Sequence, residues 1–176
     1  MFKLILPLLV IGCLVISCGY KVTIDNPSAE RLVVKVDDQE IVLEKEVFKT
    51  LVLTEGDHVM KFRDSSFPFT FKKDKDGQGE LLINPTRSIY VIDKTIYTRL
   101  SLESYNRQLR AVPSNDKTNE MFITGEWTYN LKDEAPGPTN AGALMKDNDY
   151  QLKIVKIYRG KDYWYGDGRN ALGEKK

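Results

Sequence analysis

"FKTLVLTEGDHVMKF", residues 48–62, is the stretch that decides the fold. Leu51 and Leu53 alternate into the turn residues Thr54-Glu55-Gly56-Asp57, and Val59, Met60 and Phe62 carry on beyond them. Two apolar runs around a polar, glycine-bearing turn predict a β-hairpin. Just upstream, "RLVVKVDD" sets Leu32, Val34 and Val36 on one face and Val33, Lys35 and Asp37 on the other. That period of two marks a half-buried strand. Asp37-Asp38-Gln39 then turns the chain into "EIVLE", and Pro27 and Ser28 punctuate before the first strong strand.

The pattern continues downstream. "FPFTFKK" places Phe67, Phe69 and Phe71 on one face, and Pro68, lacking a donor, predicts an edge strand. "ELLINP" is the returning strand. "RSIYVIDKTIYTRLSL" is β-branched and aromatic, with Tyr90 and Ile92 sharing a face. "SLESYNRQLRAV" predicts a short helix on Leu102, Tyr105 and Leu109, and "PSNDKTNE", residues 113–120, a linker or long loop. "MFITGEWTYNLK" aligns Trp127, Tyr129 and Leu131 on a strand face, and "DEAPGPTNAG" is a turn-rich loop. "YQLKIVKIYRGKDYWYGDG" reads as a strand, a turn at Gly160 and an aromatic cluster, before a frayed "NALGEKK". No internal repeat is evident. Eight to ten short strands with at most one or two short helices predict a mainly β protein. The expected architecture is a β-sandwich of short antiparallel strands over residues 18–112, with a C-terminal β-rich extension, 121–176, packed on it.

Composition narrows the function. The 176 residues are 41% hydrophobic and 29% charged, an ordinary globular balance. Net charge is +1, so nothing in bulk electrostatics calls for nucleic acid. The N-terminus, "MFKLILPLLVIGCLVISCGY", has one early positive charge at Lys3, an apolar run from Leu4 to Ile16, and a small residue before a cysteine. As a helix, residues 4–17 would span about 21 Å, short of the roughly 30 Å hydrocarbon core, so a spanning anchor is disfavoured.

Val15-Ile16-Ser17-Cys18 resembles the lipobox of bacterial lipoproteins, with Val rather than the more frequent Leu at −3. The resemblance implies that residues 1–17 are a signal peptide removed by signal peptidase II. It further implies diacylglycerol on the Cys18 thiol and an acyl group on the new amine. Val10-Ile11-Gly12-Cys13 also fits the pattern; Cys18 leaves the longer apolar region. Gly19, not Asp, after the cysteine resembles the outer-membrane class where the host is Gram-negative. Removing Lys3 from 26 basic residues leaves 25 against 25 acidic. Both cysteines lie at or before the cut, so no disulfide pair remains, and Cys/His nucleophilic chemistry is excluded in the mature chain. Residues 26–63 resemble the small PEGA-like sandwich domains: a strand, an Asp-centred turn, an aliphatic strand, then Gly-Asp-His and an apolar strand. This implies a non-enzymatic β-domain on the bacterial envelope.

"DKDGQGEL", residues 74–81, resembles the first eight positions of an EF-hand loop, with Asp74, Asp76 and Gln78 as weak metal ligands. Pro85 stands where the bidentate Glu belongs, and strand patterns flank it, so a β-turn is the better reading and no metal or cofactor is expected. His58, the single histidine, has no partner motif and reads as a satisfied histidine beside Met60 and Phe62. Glu44 with Glu46, and Asp147 with Asp149, share strand faces but read as solvated charge. The expectation is a lipid-anchored, non-catalytic binding or accessory module that meets a protein or glycan partner. The candidate surfaces are Phe67, Phe69 and Phe71, or the aromatics Tyr163, Trp164 and Tyr165. A glycan hydrolase using carboxylates and a structural subunit of an envelope assembly are the alternatives.

Overall fold

The computed structural model describes residues 19–73, 80–99, 109–145 and 151–165. The chain is mainly β, and three sheets account for it. In order come β1 (Tyr20–Asp25), β2 (Leu32–Val36), β3 (Gln39–Leu43), β4 (Phe48–Leu53), β5 (Gly56–Phe62), β6 (Ser65–Phe71) and β7 (Glu80–Ile83). Then follow β8 (Tyr90–Arg99), β9 (Leu109–Thr118), β10 (Phe122–Gly125), α1 (Pro138–Leu144), β11 (Gln151–Arg159) and α2 (Gly160–Tyr165). The first sheet runs β10-β7-β1-β4, the second β3-β2-β5-β6 and the third β11-β8-β9.

The first two sheets form the expected sandwich. Period two does the work: Leu32, Val34 and Val36 point into the core while Val33 is 47% exposed. Val22, Ile24, Leu51 and Leu53 meet them from the first sheet, and Ile41, Leu43 and Met60 from the second. Each fully buried side chain of this size contributes about 1.5–3 kcal/mol. The hairpins β2–β3 and β5–β6 close through two-residue turns, whose first residues, Asp37 and Arg63, hold φ of 51° and 54°. Pro68 lies on β6, the sheet edge it was expected to occupy.

β7 departs from simple alternation. Leu81, Leu82 and Ile83 are all buried. Leu81 and Ile83 enter the sandwich core, while Leu82 joins Ile123, Trp127, Tyr90, Val155 and Ile157 in a second core against the third sheet. The first sheet is therefore covered on both faces along β7, which explains an unbroken apolar strand. β7 also pairs parallel with β1, an exception to the antiparallel expectation.

Other boundaries shift. Pro113–Thr118 belong to β9, not to a linker. As the edge of a three-stranded sheet, β9 pairs on one side only, and its exposed Pro113, Ser114, Asn115 and Asp116 need no apolar pattern. The division at 113–120 also fails to separate two modules. β10 completes the sandwich's own sheet, while β8, assigned to the sandwich, pairs with β11. The helix expected over 101–112 lies outside the described residues up to 108, and 109–112 are strand. The aromatic cluster "DYWY" is helical: α2 takes it. Gly160 sets this up, since its N–H donates to Ile89 O at 2.7 Å and a Cβ there would lie 2.8 Å from that oxygen.

Candidate functional site

Two short turns organise one end of the sandwich. β1 runs into Asn26-Pro27-Ser28 and β7 into Asn84-Pro85-Thr86. Parallel pairing, Ile24 opposite Ile83, brings the two turns side by side. Both asparagines are fully buried. Asn26 Nδ2 donates to the carbonyls of Glu30 (2.7 Å), Leu43 (3.3 Å) and Glu44 (2.9 Å), and its Oδ1 accepts from Ser28 Oγ at 2.6 Å and Ser28 N–H at 3.1 Å. Asn84 Nδ2 donates to Ser88 O (2.8 Å) and Glu120 O (3.0 Å), and its Oδ1 accepts from Ser88 N–H and Thr86 Oγ1. Each amide thus holds a strand-crossing loop in one shape. The Asn-Pro-Ser/Thr recurrence is the signal in the sequence that could have found this pair.

These turns, with the β5–β6 turn, enclose an open cleft of about 570 Å³. Its floor is Leu32, Phe62, Phe67 and Met121, and its rim carries Arg63, Arg87 and Glu30. The Arg63 guanidinium lies 5.1 Å over the Phe62 ring. Arg87 holds φ of 52°. A second cleft, about 440 Å³ and more polar, lies beside Gly19 and Tyr20 and includes Lys73, Glu80 and Trp127.

Of the expected partner surfaces, only Phe67 reaches the larger cleft. Phe69 stacks on Phe122 at 4.3 Å, and Phe71 is buried in the core. Tyr163 is buried edge-on to Tyr158, while Trp164 lies under Lys117 Nζ at 4.4 Å; the Tyr165 side chain is outside the described residues. Trp127, expected on a strand face with Tyr129 and Leu131, lies just past β10 and is buried in the second core. Asp74, Asp76, Gln78, Asp147, Asp149, Cys13 and Cys18 also lie outside the described residues. Among the described residues no group of three His, Cys, Asp or Glu is placed to hold a metal ion. Glu44 and Glu46 follow β3 in coil and turn, both exposed, Glu44 pairing with Arg31 at 3.3 Å and Glu46 with Lys161. A buried carboxyl escaped the sequence reading: Asp93 is 8% exposed, its Oδ1 has no hydrogen-bond partner among the described residues, and burial pushes its pKa up.

His58 is satisfied. Its Nδ1 lies 2.7 Å from Asp37 Oδ2 and its Nε2 2.9 Å from Thr54 O. Neither an ionised carboxylate nor a carbonyl can donate, so both bonds form only with the imidazolium. Burial opposes that charge, but the bonds to Asp37 and Thr54 outweigh it and raise the pKa above 6.5. For Asp37, burial is likewise outweighed by Val59 N–H and His58, and the pKa falls below 3.8. The raised histidine stabilises fully below pH 6.5 and loses that contribution as pH rises through its folded value. The depressed carboxylate stabilises above pH 3.8 and loses its share as pH falls through its own folded value. Thermal melts across this range should show a plateau on the acidic side of neutrality and a decline above it, worth about 1–2 kcal/mol because Asp37 is 42% exposed. His58→Leu should flatten the alkaline decline; a decline of unchanged size would assign it elsewhere.

Comparison of the chain with protein-family models, with curated proteins and with solved structures finds no match.

Proposed function

We propose that this protein is a lipid-anchored, non-catalytic binding module of a bacterial envelope, held by acyl chains on Cys18 and binding its partner at the cleft beyond Asn26 and Asn84. The observation that carries the reading is the position of the cleft relative to the chain's start. β1 begins at Tyr20, and Gly19 already packs so close to β4 that a Cβ there would approach Val52 Cγ1 to 2.2 Å. An anchor at Cys18 therefore has one residue of spacer and holds the Tyr20 end of the sandwich at the lipid surface. The cleft follows the other end of β1, about 20 Å away at ~3.3 Å per residue. Two or more acyl chains hold a protein on a bilayer stably, whereas one does so marginally.

The cleft's chemistry supports binding over hydrolysis. A glycosidase acid/base pair needs two carboxyls roughly 5–9 Å apart. The cleft lining carries one, Glu30. Metabolic labelling with a fatty-acid analogue tests the anchor: the wild-type chain should incorporate label and Cys18→Ala should lose essentially all of it. Label retained by Cys18→Ala and lost by Cys13→Ala would move the anchor to Cys13. Where the host is Gram-negative, Gly19 leads to the labelled protein fractionating with outer membranes.

A further inference from the structure

We infer that the cleft binds a small anionic molecule with an apolar body, its acid group between Arg63 and Arg87 and its body on Leu32, Phe62, Phe67 and Met121. This rests on the binding-module reading and names its ligand class.

Charge comes first. Arg31 is ion-paired with Glu44 and Arg159 with Asp25, but Arg63 and Arg87 have no ion pair among the described residues. Two unpaired guanidiniums at one rim concentrate positive potential on a chain whose net charge is only +1. Their planar forks suit a carboxylate or another oxyacid, and Phe62 beneath Arg63 leaves the fork's N–H edge free.

The backbone gives an independent reason. Arg63 and Arg87 both hold left-handed φ, 54° and 52°. Glycine or asparagine adopts that region at less cost than arginine. Among the described residues no hydrogen bond of either turn uses the guanidinium, so the turns themselves give no reason for a long cation at these positions. Strain of this kind gathers where a side chain has work to do.

The remaining walls set size and rigidity. About 570 Å³ falls within the range of small-molecule sites. The Ser28 hydroxyl donates to Asn26 Oδ1, and that of Thr86 is bonded to Asn84 and Ser88, so these walls are braced before a ligand arrives. Glu30 is the opposing charge on the rim and disfavours a ligand with a second acid group.

The test uses the mature lipidated chain, from Cys18 onward, in nanodiscs of neutral phospholipid, with empty nanodiscs as the blank. Calorimetric titration compares 2-naphthoate with its neutral alcohol and its cationic amine counterparts. Naphthoate should bind at least about tenfold tighter than either, since its charge-assisted bonds are the difference. Arg63→Gly and Arg87→Gly should each weaken naphthoate about tenfold while leaving the melting temperature unchanged or higher. Glu30→Gln should tighten it. If a glycine variant melts lower, Arg63→Asn and Arg87→Asn keep the left-handed turn and must still weaken binding. Equal affinity for the three probes, no binding of naphthoate, or full affinity in the arginine variants overturns the inference. The anchor stands or falls separately, because labelling at Cys18 is read without any ligand.

Discussion

Arg159→Leu is expected to destabilise the protein by about 3–5 kcal/mol, the cost of leaving a buried charge alone. Asp25 is fully buried at the end of β1. Arg159, 134 residues later in sequence, grips it with both arms of its fork: Nε donates to Oδ2 at 2.8 Å and Nη2 to Oδ1 at 2.6 Å. Tyr90 adds its hydroxyl to Oδ2 at 2.6 Å. Burial and the adjacent carboxylate push the Tyr90 phenol far up, so it remains a donor. Burial opposes the Arg159 charge, yet the Asp25 bonds outweigh that and hold it more firmly protonated than usual. The second Nη2 bond, to Glu46 O at 3.0 Å, ties β11 to the loop before β4. With Arg159 gone, Asp25 keeps one neutral donor among the described residues, the Tyr90 hydroxyl. The pair itself need not be net stabilising, because desolvating two charges offsets much of their attraction. Asp25→Leu combined with Arg159→Leu should therefore cost less than Arg159→Leu alone. Urea unfolding followed by the fluorescence of Trp127 and Trp164 measures both. A loss under about 1 kcal/mol for Arg159→Leu would show that the clamp is not the link between the sandwich and the third sheet.

The difference between this clamp and the hairpins shows which parts of the fold a single sequence can reveal. Leu32, Val34 and Val36, and Leu51 and Leu53, are buried where period two put them, because each lies on a strand with one face in water, as exposed Val33 and Val52 show. β7 and β9 escape that rule for opposite reasons. Leu81, Leu82 and Ile83 have no solvent face to advertise, and Pro113–Thr118 pair through backbone alone at an edge. In both, what alternation reads, one buried and one exposed face, is missing, so alternation could not report them. The exchange of β8 and β10 between sheets is likewise set by the cover each sheet needs.

The candidate cleft was hidden for a related reason. Arg63 and Arg87 are 24 positions apart, each in a turn, and turns are where charged residues are ordinarily unremarked. Parallel pairing of β1 with β7 sets the turn that precedes Arg87 beside the one after β1, and the packing of the two sheets brings the β5–β6 turn with Arg63 to the same cleft; neither leaves a hairpin signal. The aromatics that drew attention as surfaces, Phe71 and Tyr163 above all, were drawn into cores by their size. Phe67 is the exception. It packs against the sandwich core and also floors the cleft.

Asn84→Ala should cost about 2–4 kcal/mol and weaken the cleft as well. The side chain is fully buried and serves four groups: the carbonyls of Ser88 and Glu120, the Ser88 N–H and the Thr86 hydroxyl. Each buried polar group stripped of its partner costs about 1–3 kcal/mol, and water reaching the partly buried ones lowers the sum. Asn84→Asp is the sharper variant. It preserves the shape and the Oδ1 acceptor but replaces the Nδ2 donor with an oxygen facing two carbonyl oxygens, so it should cost at least as much as alanine. The corresponding change in the twin turn, Asn26→Asp, faces three carbonyls and should be no milder. Because Thr86 and Arg87 follow in the same turn, two and three residues after Asn84, and the Met121 carbonyl accepts the Asn84 backbone N–H at 2.8 Å, loosening this turn moves the rim and the floor together. Naphthoate affinity should then fall even at temperatures where the variant remains folded. Chemical unfolding paired with the same titration separates the two effects. An Asn84→Asp protein as stable as wild type would mean that the amide is not what holds the turn, and the rigidity assigned to the cleft would have to come from Pro85.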